Sequence, residues 1–322
     1  MKIYGRTGLV TMPAPIFVCS KNMIGEALST VKLIEAIGKF VVWLRKTRSR
    51  PSETVAGRFI RLFESHDVHR NQIPRFFDHG LTLRDVQDEI SLLDKLDEPM
   101  LEAASKLFGV RREWLEGAES EVYRCHDFYK HPASVAPFLE ALKASNPDGH
   151  LEGVLIAPEE QKGDALIILS EVAGWIGDKA IYRHHLLNNW LYEYWKSRAY
   201  LTACVAIAWK HGIHIRGIYS PAKEVKQVAY GEVLMGGRNA DSAPSRRGAL
   251  YPEDMALRPA AFIAGIDPER DNFGITSALE LWQMLEEDGY MATGLPMYQR
   301  EAIRGSFKEA LDKSLAVSTS QR

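Results

Sequence analysis

Cysteine is scarce: the 322 residues contain only Cys19, Cys125 and Cys204, far apart and without a CxxC pair. An odd, scattered set builds neither a disulfide framework nor a four-thiolate zinc site, and it fits a reducing, cytoplasmic compartment. Charge of one sign is also lacking, since 40 Lys plus Arg face 42 Asp plus Glu for a net charge of −2. No global attraction to nucleic acid or to an anionic membrane is available, so any such binding has to come from a local patch. Long apolar runs are absent. The stretch 33–44 carries Glu35 and Lys39 and falls far short of the roughly 20 apolar residues that span a bilayer. The basic run Arg45, Lys46, Arg48 and Arg50 follows that stretch instead of preceding it, which is the wrong order for a secretory signal. No GxxxxGK[ST], GxGxxG or HExxH string occurs, which argues against phosphate-loop and zincin chemistry.

What is present is the ordinary balance of a folded chain, 46% hydrophobic and 25% charged. Changes of pattern divide it into five parts. Residues 1–50 read as an arm followed by an amphipathic helix over 22–48, where Ile24, Leu28, Val31, Ile34, Ile37, Val41 and Leu44 recur at steps of three and four. Residues 51–120 break into five short helical patterns. Residues 121–235 mix apolar runs suited to strands with a longer helical pattern, giving an α+β sensor or dimerisation domain. The run GGRNADSAPSRRGALYPED over 236–254 has few apolar anchors and reads as a linker. Residues 255–322 are helical in pattern. The expected fold class is therefore α+β, a helical head followed by an α+β domain and a helical C-terminal segment.

The five patterns in the head are the most specific signal. Val55, Phe59, Ile60 and Phe63 share one face over 54–65, and Ile73, Phe76 and Phe77 belong to a second helix over 69–77. Gly80 supplies the positive φ of a tight turn, and Thr82 is placed to cap a third helix over 83–89, with Asp85 as the acidic partner of the cap. A fourth helix spans 98–110, burying Met100, Leu101, Ala104 and Leu107, and a fifth turn over 112–115 is closed by Gly117. The string from Ala103 to Gly117, AASKLFGVRREWLEG, joins a helix ending at a Gly-hydrophobic step to a short helix with an aromatic-Leu pair and a Gly. This string resembles the closing pattern of the Xre or lambda-repressor-like helix-turn-helix family, and the likeness covers residues 53–118, about a fifth of the chain. The resemblance implies that the third helix enters the DNA major groove, with Thr82, Leu83, Arg84 and Gln87 at the base edges. Phosphate contacts are expected from Arg58, Arg61, Arg70 and Arg75, and from Arg45, Lys46, Arg48 and Arg50. Two features depart from the family. Pro74 lies inside helix two, and Arg84 is the lone cation of helix three against Asp85, Asp88 and Glu89.

The remainder carries less chemistry. Strands are expected over 151–157, 165–169, 213–219 and 226–235, and a helix over 185–211 closed by Gly212. Trp190, Tyr194 and Trp195 sit on that helix as a candidate ligand-binding set, weighed against ordinary core packing. His126, His131, His184, His185, His211 and His214 have no metal-ligand spacing, and neighbours on a strand face opposite ways, so no metal and no cofactor are expected. Asp164, Glu171, Asp178 and Lys179 superficially resemble the acidic-then-Lys pattern of metal-dependent nucleases. The reading that follows is a cytoplasmic DNA-binding transcriptional regulator, not an enzyme, acting as a homodimer on double-stranded DNA with a small-molecule or protein effector and no membrane. A metal-dependent nuclease and a protein-interaction scaffold without DNA binding are the alternatives.

Overall fold

The computed structural model describes residues 53–146, 150–236, 244–268, 274–295 and 299–320. The expected helix over 22–48 and the cations Arg45, Lys46, Arg48 and Arg50 lie outside the described residues.

Helix α1 (Val55–Ser65) starts where Thr54 turns its side-chain oxygen to the Gly57 amide, 2.9 Å away. The spacing of its apolar residues buries Ala56, Phe59, Ile60 and Phe63 on one side. A 3₁₀ turn at Arg70–Gln72, capped by His69, runs into α2 (Ile73–Phe76). Pro74 therefore falls in the first turn of α2, where a missing amide costs little, and the kink its place in helix two would imply does not arise. Gly80 takes the expected positive φ, 72°.

Helix three departs from expectation. Thr82 and Asp85 do bond reciprocally, the Thr82 amide and hydroxyl both donating to Asp85 Oδ2 at 2.8 and 2.7 Å. The turn they open is only the 3₁₀ segment Asp85–Gln87, after which Asp88 is extended and caps a new helix, α3 (Glu89–Leu93), by accepting the Ser91 amide at 2.8 Å. Asp bonds nearby amides from outside a helix more readily than it sits within one. Two capping residues six positions apart thus divide what periodicity alone reads as a single helix over 83–89. Helix α4 (Glu98–Phe108) is capped by Asp97 and ends at Gly109 in the left-handed region, two residues earlier than expected, and α5 (Arg112–Leu115) follows.

Six strands form one mixed sheet: β1 (Cys125–Asp127), β2 (Leu151–Pro158), β3 (Asp164–Ile176), β4 (Lys179–Leu191), β5 (Ile215–Ser220) and β6 (Gly248–Leu250), in the order β1-β4-β3-β2-β5-β6. The strands β2, β3 and β4 make an antiparallel meander, with β1 parallel to β4, β5 parallel to β2 and β6 antiparallel to β5. Helix α6 (Val135–Ser145) precedes β2, and α7 (Trp195–Lys210) crosses from β4 to β5. After β5 come α8 (Ala222–Val228), α9 (Asp254–Leu257), α10 (Pro259–Ile263), α11 (Gly274–Glu287) and α12 (Arg300–Ser320).

Alternation along β3 decides what covers each face. Leu166 and Ile168 join the apolar cluster of the helical head, including Phe59, Phe63, Phe77 and Phe108. Ile167 and Leu169 join a second cluster with Leu139 of α6, Leu201 and Val205 of α7, Leu279 and Trp282 of α11 and Phe307 of α12. The sheet is thus sandwiched between the head and the later helices. Helix α7 is buried nearly all round, as expected for a helix packed between the sheet and a further layer. Its Arg198 is wholly buried, donating to the carbonyls of Tyr192, Phe262 and Ala264 at 2.9–3.1 Å and lying 3.7 Å over the Tyr192 ring. Trp282 stacks flat on Phe307, 3.5 Å between centroids.

Three further expectations are corrected. The helix over 185–211 begins only at Trp195, because 179–191 pairs along its length with β3; Leu187 and Leu191 fit both periods, and the partner strand settles which one is used. The strand over 226–235 is absent: Pro221 starts α8, which runs to Val228. The described half of the linker, 244–254, is anchored, with Ser245 donating its amide and hydroxyl to Glu224 and Gly248–Leu250 pairing with β5. Glu53–Arg322 forms one compact unit. Among the described residues no helix is long and apolar enough to cross a membrane.

Candidate nucleic-acid interface

Thr82, Leu83, Arg84 and Gln87 all lie exposed in the segment that follows the Gly80 turn. They are not equally available. The Thr82 hydroxyl is committed to Asp85, and Gln87 Nε2 donates to Asn71 Oδ1 at 2.5 Å, tying the third element back to the second. Arg84 is exposed and has no ion pair among the described residues, and the same holds for Arg75 in α2. Arg70 meets Glu64 at 3.5 Å.

Arg58 and Arg61 are engaged within the protein. Arg58 donates to the Trp114 carbonyl at 2.9 Å, Arg61 pairs with Glu53 at 3.0 Å, and both guanidinium groups lie over the Trp114 ring at 5.9 and 5.5 Å. They brace α5 against α1, because one helical turn separates them and both face Trp114. The AASKLFGVRREWLEG string is therefore held in place through Trp114 by Arg58 and Arg61. Around Arg84 the field is acidic. Hydrogen bonds from Thr82 hold the Asp85 carboxyl below the usual range, and those from Ser91 do the same for Asp88. Large apolar side chains also emerge here, Leu83 58%, Ile90 74% and Leu93 50% exposed.

Comparison with family models, curated proteins and solved structures gave no match.

Behind the head lies a polar seam that sequence reasoning missed. His66 at the end of α1 donates from Nδ1 to the Leu62 carbonyl at 2.7 Å, and its ring lies 4.3 Å from Phe108 and 5.9 Å from His184 of β4. His184 Nδ1 meets Ser170 Oγ at 3.1 Å, while its Nε2 is buried without a hydrogen-bond partner among the described residues. The Tyr123 hydroxyl donates to the Met235 carbonyl and accepts the Met235 amide, each at 3.1 Å. Burial lowers both imidazoles, His66 to about 4 and His184 to about 3, so both are neutral near pH 7. In sequence, His66 carried no signal beyond its place at a helix end.

Alternate positions on β4, Arg183 and His185, share one neighbour on β3. Arg183 binds Glu171 through two nitrogens at 3.0 Å and reaches the Lys106 carbonyl of α4 at 2.9 Å, while His185 Nε2 meets Glu171 Oε2 at 2.9 Å. Burial pushes the Glu171 carboxyl up, but His185 and Arg183 outweigh it and hold it at about 2. The nuclease-like set is not assembled. Glu171 is committed to Arg183 and His185, Lys179 pairs with Asp67 at 3.1 Å, and Asp164 accepts from Tyr230. Asp164 and Glu171 stand seven residues apart on one strand, ~23 Å at strand rise. No group of three His, Cys, Asp or Glu able to hold a metal occurs among the described residues.

The aromatic set is divided as well. Trp190 is a core residue, buried with its indole donating to the Leu187 carbonyl at 3.0 Å, the packing role weighed against ligand binding. Tyr194 and Trp195 do meet, 5.9 Å apart and half-buried at the start of α7, with Lys196 over the Trp195 ring.

Proposed function

We propose that the chain is a DNA-binding transcriptional regulator, acting in the cytoplasm as a homodimer on double-stranded DNA. The helical head reads the site, and the sheet with its later helices serves dimerisation or the sensing of an effector. The observation that supports this reading is the exposure of Arg84 and Arg75, free of ion pairs among the described residues, on either side of the Gly80 turn. In a helix-turn-helix arrangement those positions face the groove and the flanking phosphate. Fluorescence anisotropy with genomic DNA fragments, over several salt concentrations and with and without magnesium, tests it. Arg84→Ala is expected to narrow the gap between cognate and random DNA, and Arg75→Ala to weaken all sequences and reduce the salt slope by about one. Equal effects of both changes on cognate and random DNA count against these roles.

One observation favours a second reading. The break at Asp88 and the exposed Leu83, Ile90 and Leu93 among carboxylates suit a basic, amphipathic protein partner better than a phosphate backbone. Absence of DNA binding at low salt moves the reading there, and magnesium-dependent cleavage moves it to a nuclease.

A further inference from the structure

A cleft of about 600 Å³ opens between the C-terminal end of α7, the start of β2 and the β5–β6 edge, and none of its lining belongs to the helical head. Two local features build it. Gly217 in β5 stands where a Cβ would come within 2.5 Å of the Leu250 carbonyl oxygen, so β6 approaches β5 only over a glycine. That approach carries Tyr251, Pro252 and Glu253 to the cleft. The chain reverses at Gly212 after α7, and His214 stacks on Trp209 with centroids 4.7 Å apart.

The groups gathered there are complementary in kind and incompletely used. Trp209 and His214 supply a planar stack, and Tyr251, 67% exposed, supplies a second ring. Arg246 is exposed without an ion pair among the described residues, whereas Arg216 is shared with Glu152 at 2.6 Å. The Trp209 indole nitrogen is buried with no acceptor among the described residues. Glu253 is half-buried, and burial followed by the neighbouring Asp254 raises its carboxyl above the usual range. The volume falls within the ~300–1,000 Å³ of small-molecule sites, which combine apolar walls with a few polar groups that fix orientation.

We propose that this cleft binds a small planar heteroaromatic ligand bearing an anionic group and an exocyclic N–H donor, the chemistry of a nucleoside monophosphate. The ring lies against the aromatic side chains, the exocyclic donor meets Glu253, and the anion meets Arg246. The site stands whether or not the head binds DNA.

Calorimetric titration of the full chain with adenosine monophosphate, adenosine and inorganic phosphate tests it. Adenosine monophosphate is expected to bind, with adenosine and phosphate each weaker by about tenfold or more, the scale of one lost charge-assisted contact. Arg246→Ala should weaken the monophosphate and leave adenosine unchanged, and Glu253→Gln should weaken both. Circular dichroism confirms that each variant is folded. No heat from adenosine, guanosine or cytidine monophosphate at millimolar concentration overturns the proposal, as does monophosphate binding that neither folded variant alters.

Discussion

Lowering the pH from 7 to 5 should destabilise the fold through the histidine seam. A free imidazole titrates near 6.5, whereas burial holds His66 at about 4 and His184 at about 3. Above pH 6.5 neither state takes a proton and the two groups leave stability unchanged. Below 6.5 the unfolded chain takes protons that the native chain refuses, so stability falls by about 1.4 kcal/mol per pH unit for each histidine. At pH 5 the loss is about 2 kcal/mol for each, or about 4 together, against a typical net stability of about 5–15 kcal/mol. The fall levels off only below the native values, near pH 4 for His66 and near 3 for His184. His126, lowered by burial and then by His185 and Arg124, adds in the same direction. Glu171 does not blur this window, because its stabilising pairs are lost only below 4.5, towards about 2. Urea unfolding followed by circular dichroism at pH 7.5, 6.5, 5.5 and 5.0 measures the slope. His184→Gln keeps a polar group opposite Ser170 and cannot take up a proton, so it should reduce the slope by about 1.4 kcal/mol per pH unit. A flat stability between pH 6.5 and 5, or a slope that His184→Gln leaves unchanged, refutes the reasoning.

Two further substitutions examine what holds the later helices to the sheet. Trp282→Ala removes the face stacked on Phe307 and opens a cavity in the second core, with an expected loss of about 3–5 kcal/mol read as a lower urea midpoint. Arg198→Met fills similar space but leaves the carbonyls of Tyr192, Phe262 and Ala264 without their donor. It should cost about 3 kcal/mol or more, and a neutral result means that these carbonyls find other partners.

The parts of this fold that were legible in the sequence are those fixed by local chemistry. Thr54 and Gly80 act where their side chain or its absence is needed, and the apolar stripe of α1 follows from spacing alone. What escaped depended on partners distant in sequence. Leu187 and Leu191 satisfy helical and strand periods alike, and only pairing with β3 makes 179–191 a strand. Arg58 and Arg61 looked like surface cations because Trp114, more than fifty residues later, is what occupies them. For Trp190 composition favoured core packing, and its place on β4 is what turns it inward. In the candidate interface the turn at Gly80 before Thr82 to Gln87 was legible, but the division at Asp88 was not, since competition between two caps leaves the hydrophobic period untouched. His66 and His184 meet only across the join between head and sheet.

The way the head shares its core with the sheet has an engineering consequence. Leu166, Ile181, Leu186 and Val228 complete the cluster around Phe63 and Phe108, and Arg183 ties Glu171 to the Lys106 carbonyl. The head is therefore not a transplantable cassette. A fragment cut near residue 120 would carry a raw apolar face into solvent, and a chimera would need the hairpin of β3 and β4 along with it. In a symmetric dimer, the same docking would make the sheet a ruler, with the distance between two heads set by the protein instead of by a pliable tether.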